Sequence, residues 1–262
     1  MEKKQIKLWD KEIPFYQDGA ETPNTMELFL LDTQKKLPVV LIFPGGGYGM
    51  RAEHEAEPIA RFYNSKGMHA IVVNYRVFPY RYPCALMDAQ RAVKLTRYYA
   101  DEWKIDAEKL FTLGFSAGGH LSACTAAMPD VSKIGDFLDN ISARPNGAVL
   151  CYPMISAYEK DGAETYRCAA EHLLSEQTDL DWLSVQNHVT KDTPPCFLWH
   201  TSDDETVPLR HSLLFAQRLA ENGVACELHV FPHGPHGLGL AKDYPDVSGW
   251  AGLSADWMRR NF

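Results

Sequence analysis

The sequence predicts an α/β fold in which helices cover both faces of a mostly parallel central sheet. Continuous apolar runs such as 37–44 and 69–76 are typical of strands that are covered on both faces. From residue 37 onward these runs alternate with segments of helical periodicity, which indicates parallel strands joined by crossover helices. A chain of 262 residues without an internal repeat or a linker suits one domain spanning 1–262.

The strands are predicted from short segments that are either apolar or alternating. The first two, 4–9 and 26–32, form an antiparallel opening, and 4–9 alternates polar and apolar residues like an edge strand. The later segments are mainly apolar, as expected of buried strands. They lie at 37–44, 69–76, 109–114, 147–153, 195–202 and 225–232.

The helices are predicted from apolar residues at helical spacing and from residues that suit helix ends. Gly67 and Gly223 follow two of these segments, where glycine commonly ends a helix. Pro83 stands near the start of another, where its missing N–H does no harm. The predicted helices span 56–67, 82–103, 117–128, 209–223 and 247–262.

One segment, 154–194, departs from this alternation. It is mostly polar, and Tyr166 and Trp182 are set among charged residues. We expect a small, irregular helical insertion over the carboxyl end of the sheet. The sequence leaves open whether this insertion is a lid or a plain connection.

Composition and charge restrict the possible partners. Lys and Arg number 26 against 34 Asp and Glu, a formal net charge of −8, which argues against nucleic acid or an anionic membrane as a partner. No apolar run approaches the length of a membrane span, and the first ten residues are too polar for a signal peptide. Six scattered cysteines without a C-x-x-C pair favour free thiols and a cytoplasmic location. The oligomeric state stays open.

A serine between glycines marks the candidate nucleophile. The stretch Gly114-x-Ser116-x-Gly118 joins the predicted strand 109–114 to the predicted helix 117–128. This pattern is the nucleophile elbow, in which a strained turn lifts the serine oxygen above the sheet. Side chains at the two glycine positions would collide across so tight a turn. The sequence therefore predicts Ser116 as a catalytic nucleophile.

Candidate partners for Ser116 follow two later predicted strands. A serine needs a base within hydrogen-bond reach and a group that orients this base. Asp203 and Asp204 follow one strand, and His233 and His236 follow the next. Parallel strands bring these loops to one edge of the sheet. The chain order is therefore serine, aspartate, histidine, and the spacing alone does not choose within either pair.

These motifs make the chain resemble the α/β-hydrolase-fold serine esterases. It is most similar to the small bacterial acetylesterase and carbohydrate-esterase-like group that is related to hormone-sensitive lipase. The matching motifs occur in the family's order and are PGGGY at 44–48, GFSAGGHL at 114–121, DETVP at 204–208 and GPHGL at 234–238. Pro44 stands where the hormone-sensitive branch has histidine, which favours the P-G-G-G-Y relatives.

The resemblance selects one residue from each pair and supplies the rest of the site. The family pattern D-x-x-V-P selects Asp204, and a histidine directly before Gly-Leu selects His236. The catalytic residues implied are thus Ser116, Asp204 and His236. The implied oxyanion-hole donors are the amides of Gly46, Gly47 and Ala117. Two aromatic residues, Tyr48 and Trp182, are expected either to bind substrate or to pack in the core.

The function that follows is a serine carboxylesterase acting through an acyl-enzyme. The resemblance implies a small-molecule ester as substrate, with short acyl and above all acetyl groups, and makes esters of sugars or xylo-oligosaccharides candidate substrates. No metal or cofactor is expected, and the pair His54-Glu55 lacks the second histidine of an H-E-x-x-H zinc motif. The alternatives are an amide-directed serine hydrolase, such as a peptidase or arylformamidase, and a non-catalytic receptor on the same fold.

Overall fold

An eight-stranded sheet forms the centre of the part of the chain that the structure, a computed structural model, describes, residues 4–262. Residues 1–3 of the predicted unit 1–262 lie outside the described residues. The strand order is β1-β2-β4-β3-β5-β6-β7-β8. The strands are β1 Lys4–Lys7, β2 Thr25–Phe29, β3 Leu37–Phe43, β4 His69–Asn74, β5 Ile105–Phe115, β6 Gly147–Cys151, β7 Cys196–Thr201 and β8 Cys226–Phe231.

The direction of the strands follows the predicted pattern. The β1–β2 and β2–β4 pairs are antiparallel, whereas β4–β3, β3–β5, β5–β6, β6–β7 and β7–β8 are parallel. The carboxyl ends of the parallel strands therefore meet along one edge of the sheet, where ligands bind in folds of this kind. The prediction of an α/β fold with a mostly parallel sheet is confirmed.

Helices cover both faces of the sheet and bury an apolar core on each. In β3, Val39 and Leu41 face one core while Val40 and Ile42 face the other, as the period of two requires. The first core includes residues of the helices at 84–98, 117–127 and 210–221. The second includes residues of the helices at 57–65 and 250–261. The main helices are α1 Glu57–Ser65, α2 Cys84–Tyr98, α3 Ala117–Ala127, α6 Arg210–Glu221, α7 Pro245–Ser248 and α8 Trp250–Asn261.

Two predicted helices differ from the observed ones at their ends. The predicted helix 82–103 ends at Tyr98, because the chain turns back and begins β5 at Ile105. The predicted closing helix 247–262 is divided at Gly249 into α7 and α8. Trp250 begins α8 directly after this division, and its indole stacks on Trp199 with ring centroids 5.0 Å apart.

The segment 154–194 forms the expected helical insertion between β6 and β7. It consists of short pieces, namely a 3₁₀ turn at Glu159–Asp161, α4 Ala163–Cys168, a π-helical turn at Ala169–Leu173, α5 Leu180–Leu183 and a 3₁₀ turn at Val185–His188. Within residues 4–262, none of the helices combines the length and apolar character that crossing a bilayer requires.

Candidate active site

The elbow is built by close backbone contacts at the end of β5. Ser116 takes φ 53° and ψ −116°, a strained conformation for a residue with a side chain, and α3 begins at Ala117. A Cβ on Gly114 would lie 1.9 Å from the carbonyl oxygen of Gly118. A Cβ on Gly118 would lie 2.1 Å from the carbonyl oxygen of Phe43. Both glycines are therefore required by the space available.

Ser116, His236 and Asp204 form one continuous chain of hydrogen bonds. The Ser116 Oγ lies 2.8 Å from His236 Nε2, and His236 Nδ1 lies 2.7 Å from Asp204 Oδ2. Because a carboxylate can only accept, Nδ1 carries the proton and Nε2 is free to accept one from the serine. The amides of Thr206 and Val207 donate to Asp204 Oδ1 at 3.0 and 2.9 Å. The structure thus brings all three predicted residues together.

The competing residues Asp203 and His233 form a separate pair. His233 Nδ1 lies 3.1 Å from Asp203 Oδ2, and the amide of Gly234 donates to Asp203 Oδ1 at 2.8 Å. The side chain of His233 is 85 % exposed, which leaves it in solvent. Asp203 therefore holds the turn before His236 and does not contact its ring.

The surroundings of Asp204 favour its ionised form. Burial alone would raise the pKa of this carboxyl, but hydrogen bonds from His200 and His236 outweigh it and hold the pKa well below its usual value. His200 is fully buried and its Nε2 donates to the carbonyl of Val207 at 2.7 Å. Asp204 can therefore stay charged and orient His236 over the whole neutral range.

The loop after β3 turns two of its carbonyls away from the pocket. The amide of Ala52 donates to the carbonyl of Gly45 at 2.9 Å, and that of Met50 donates to the carbonyl of Gly46 at 3.1 Å. In a trans peptide the N–H points opposite to the C=O. These two bonds therefore fix the directions of the amides of Gly46 and Gly47.

Three amides remain free around Ser116. Within residues 4–262 no protein atom accepts a hydrogen bond from the N–H groups of Gly46, Gly47 or Ala117. All three residues line the same cavity as Ser116 and His236. Ala117 opens α3, whose first N–H groups have no partner inside the helix. The arrangement can meet a negative oxygen with backbone donors.

The cavity above Ser116 has a volume of about 270 Å³. Met154 and Val207 form part of an apolar wall, while Thr165, His54 and Glu164 are polar residues of the lining. This volume lies just below the range of about 300–1,000 Å³ that is common for ligand pockets. Across residues 4–262, no three His, Cys, Asp or Glu side chains are grouped so that they could hold a metal ion.

The two aromatic residues expected near the substrate lie elsewhere. Tyr48 is only 2 % exposed and packs in the core, where its hydroxyl lies 2.8 Å from His120 Nδ1. Trp182 lines a different surface depression and packs edge-on against His188. Neither residue lines the cavity of Ser116. Of the two readings left open, the structure agrees with core packing for Tyr48.

The insertion closes one side of the cavity through side-chain contacts. His172 Nδ1 donates to the carbonyl of Gly47 at 2.6 Å, and the thiol of Cys168 lies 3.1 Å from the same oxygen. His120 Nε2 donates to the carbonyl of Leu183 at 2.8 Å. The insertion therefore contacts both helix α3, which follows the elbow, and the loop 44–48 after β3, which is called the oxyanion loop below.

Sequence reasoning missed a buried acid beside the nucleophile. Glu55 lines the cavity wall, is 2 % exposed, and accepts hydrogen bonds from Gly45 and Tyr152. Its only sequence signal was the pair His54-Glu55, which points to a zinc motif that the chain does not complete. A buried acid whose partners are a loop amide and a distant tyrosine has no spacing pattern of its own.

Comparison with known proteins places this site in a family. The sequence profile of the BD-FAE family matches residues 26–219, which is most of the chain. The chain belongs to the BD-FAE family. This confirms the resemblance to α/β-hydrolase esterases drawn from the motifs. The BD-FAE match includes the oxyanion loop, the elbow and Asp204, and ends before His236.

Individual relatives of this BD-FAE chain are named as esterases or xylan enzymes. The acetyl ester-xyloside bifunctional hydrolase from Caldicellulosiruptor lactoaceticus superposes with a TM-score of 0.91 and 43 % identity, covering 98 % of this chain and 96 % of the other. Endo-1,4-beta-xylanase B of Butyrivibrio fibrisolvens is 37 % identical over 94 % of this chain. The acetylxylan esterase of Xylanibacter ruminicola is 29 % identical over 75 %. The chain spans only 39 % and 40 % of these two relatives.

Proposed function

We propose that this protein is a serine carboxylesterase that hydrolyses short acyl esters, above all acetyl esters of xylo-oligosaccharides. The observation that carries the proposal is the hydrogen-bonded chain from Ser116 through His236 to Asp204, which opens onto a cavity lined by free amides. Membership of an esterase family, and relatives that are an acetylxylan esterase and an acetyl ester-xyloside hydrolase, support it.

The first half of the reaction forms an acyl-enzyme. His236 Nε2 takes the proton of Ser116 as the serine oxygen attacks the ester carbonyl. Asp204 keeps the imidazole in the required tautomer and stabilises the imidazolium that forms. The imidazolium then gives its proton to the leaving alcohol, and the acyl group stays on the serine oxygen.

The second half releases the acid. His236 takes a proton from a water molecule, and the hydroxide formed attacks the acyl-enzyme; the proton then returns to the Ser116 oxygen. In both halves the carbonyl oxygen becomes negative and is met by the amides of Gly46, Gly47 and Ala117. A donor of this kind typically contributes about 3–4 kcal/mol to the transition state.

The small cavity supports a short acyl group. A long acyl chain would gain about 0.8 kcal/mol for each CH₂ that it buries. The cavity of about 270 Å³, with Met154 and Val207 in its apolar wall, is too small to extend that gain over many carbons. His54 and Glu164 add polar groups that suit the hydroxyls of a sugar alcohol.

Initial rates on a graded ester series test this proposal. We expect kcat/KM to be highest for p-nitrophenyl acetate or propionate and to fall at least about tenfold by octanoate. Acetylated xylo-oligosaccharides should release acetate, and the matched p-nitroacetanilide should react far more slowly. The variant Ser116→Ala is the blank. A maximum at hexanoate or longer would refute the short-acyl part, and faster cleavage of the anilide would favour an amide hydrolase.

The proposal also covers the cellular location and the partners of this protein. A cytoplasmic location rests on the free state of the cysteines, which suits a reducing compartment. The formal charge of −8 still argues against nucleic acid and anionic membranes as partners.

A further inference from the structure

Glu55 lies at the centre of a buried network beside the nucleophile. Its Oε2 accepts the amide of Gly45 at 2.7 Å, and its Oε1 accepts the hydroxyl of Tyr152 at 2.6 Å. Both partners donate, so both carboxyl oxygens act as acceptors. Glu55 forms part of the cavity wall, but with 2 % exposure both of its carboxyl oxygens are already engaged by protein donors.

The bond to Gly45 acts at the root of the oxyanion loop. The Pro44–Gly45 peptide is held on both sides, because its carbonyl accepts the Tyr75 hydroxyl and its N–H donates to Glu55. A Cβ on Gly45 would lie 3.2 Å from the Ser116 Cβ, so this peptide packs directly against the nucleophile. A shift at Gly45 would therefore displace the donors that follow it.

The bond to Tyr152 extends the network to the loop of the catalytic base. The Tyr152 hydroxyl accepts the amide of Gly239 at 2.9 Å, three residues after His236. The Tyr152 ring also packs edge-on against the His236 imidazole, with centroids 5.0 Å apart. In parallel, His54 Nε2 donates to the carbonyl of Gly237 at 2.8 Å.

We propose that Glu55 is a positioning residue that holds the oxyanion loop against Ser116 and joins it, through Tyr152, to the loop that carries His236. The inference rests on the proposed esterase function and adds a second carboxyl group to the site. A charged Glu55 also supports the imidazolium that His236 becomes during acyl transfer, in addition to Asp204.

The groups around Glu55 act on its ionisation in opposite directions. The neighbours that face it are Tyr152, His54 and His236. His54 Nε2 lies 3.7 Å from Oε1. Burial is the largest influence and leaves the pKa of Glu55 above its ordinary value, while the bonds from Tyr152 and Gly45 and the nearby His54 and His236 reduce that rise.

Two substitutions separate charge from orientation. Glu55→Gln keeps the length and one acceptor oxygen but removes the charge. We expect kcat on p-nitrophenyl acetate to fall about tenfold with little change in KM, because oxyanion donors act mainly in the transition state. The acid limb of kcat/KM should move to lower pH by about half a unit or more, since a charge favouring the imidazolium is gone.

Glu55→Asp keeps the charge but is too short to reach both Gly45 and Tyr152. Its kcat should fall as well, while its acid limb stays near that of the wild type. Glu53→Gln is the matched control, because Glu53 belongs to the same 3₁₀ turn and is exposed. Rates are divided by the number of sites that a fluorophosphonate titrates, so that unfolded protein does not count.

The outcomes distinguish this inference from the proposed function. An active wild type with a Glu55→Gln variant of equal kcat and equal acid limb overturns the inference alone. The same holds if Glu55→Gln only lowers the melting temperature or the fraction of titratable sites. A wild type without Ser116-dependent hydrolysis overturns the proposed function and this inference with it.

Discussion

The two sides of the cavity are held in place in different ways. On one side lie the strand-end loops with Ser116, Asp204 and the oxyanion glycines, where main-chain bonds and glycine contacts fix the backbone. On the other side lies the insertion 154–194, whose helices of four to six residues are too short to be stable alone.

Three histidines attach the insertion to the rest of the protein. His172 donates to the oxyanion loop, and His120 donates to Leu183. His211 Nδ1 accepts the amides of Ile155 and Ser156 at 2.9 and 3.1 Å. We therefore expect the chemistry to depend on the strand-end loops, and the shape of the pocket to depend on side-chain contacts of the insertion that pH and mutation can alter.

The largest effect on activity is expected from the side of the cavity that the strand-end loops form. Ser116→Ala and His236→Ala should each lower kcat on p-nitrophenyl acetate by about 10⁵ or more, because members of a triad act as one unit. The melting temperature should change little, since neither side chain holds the core. Either variant retaining more than about one hundredth of the activity would contradict the assigned roles.

The next effect separates the two adjacent aspartates. Asp204→Asn should lower kcat by about 10⁴, because an amide favours the wrong tautomer of His236. Asp203→Asn should stay within about threefold, since its partners are the exposed His233 and the turn amide of Gly234. A steady-state comparison of the two purified variants decides the matter. The reverse order of activities would move the acid role to Asp203.

A smaller effect is expected where the insertion meets the oxyanion loop. His172→Ala removes a donor from the Gly47 carbonyl and should lower kcat/KM about tenfold while leaving fluorophosphonate titration of Ser116 complete. Glu171→Gln is the matched control, because Glu171 is exposed on the same π-helical turn. Equal kcat/KM in both variants would mean that the insertion does not position this loop.

The smallest effect is a loss of folding stability at acidic pH. Burial lowers the pKa of His211 from 6.5 to about 4, and the neighbouring His200 adds to this, while Asp161 opposes it. The unfolded chain therefore binds more protons, so stability is complete above pH 6.5 and is lost as the pH falls toward 4. This group should remove about 2 kcal/mol of unfolding free energy between pH 7 and 5.

Urea unfolding of His211→Asn at these two pH values measures that contribution. Asn offers an oxygen to the amides of Ile155 and Ser156 but cannot be protonated, so the loss between pH 7 and 5 should shrink by about the same amount. His120 adds a separate loss of the same sign, since burial lowers its pKa to about 4 as well. An unchanged slope in His211→Asn would contradict this role of His211.

The sequence was sufficient for the residues that short motifs fix. The elbow could be predicted because only glycine fits at 114 and 118. The parallel sheet followed from buried strands that are apolar on both faces. The choice of Asp204 and His236 came from the family pattern, and their geometry agrees with it.

The remainder depends on contacts between distant segments, which leave no periodic signal. Glu55 and Tyr152 are 97 positions apart, and Gly47 and His172 are 125 apart. Tyr48 follows the oxyanion glycines directly, yet its positive φ of 56° and its bond to His120 turn it into the core. Closeness in sequence to the oxyanion glycines therefore did not predict which residues line the cavity.

Detection of a covalent acyl intermediate on Ser116 is the most direct test of the proposed mechanism. The protein is mixed with p-nitrophenyl acetate, quenched in acid within one turnover, digested and mapped by mass spectrometry. The account predicts an acetyl group on the Ser116 oxygen, absent after treatment with a fluorophosphonate and absent in Ser116→Ala. An acetyl group on another residue, or undiminished turnover in Ser116→Ala, would contradict it.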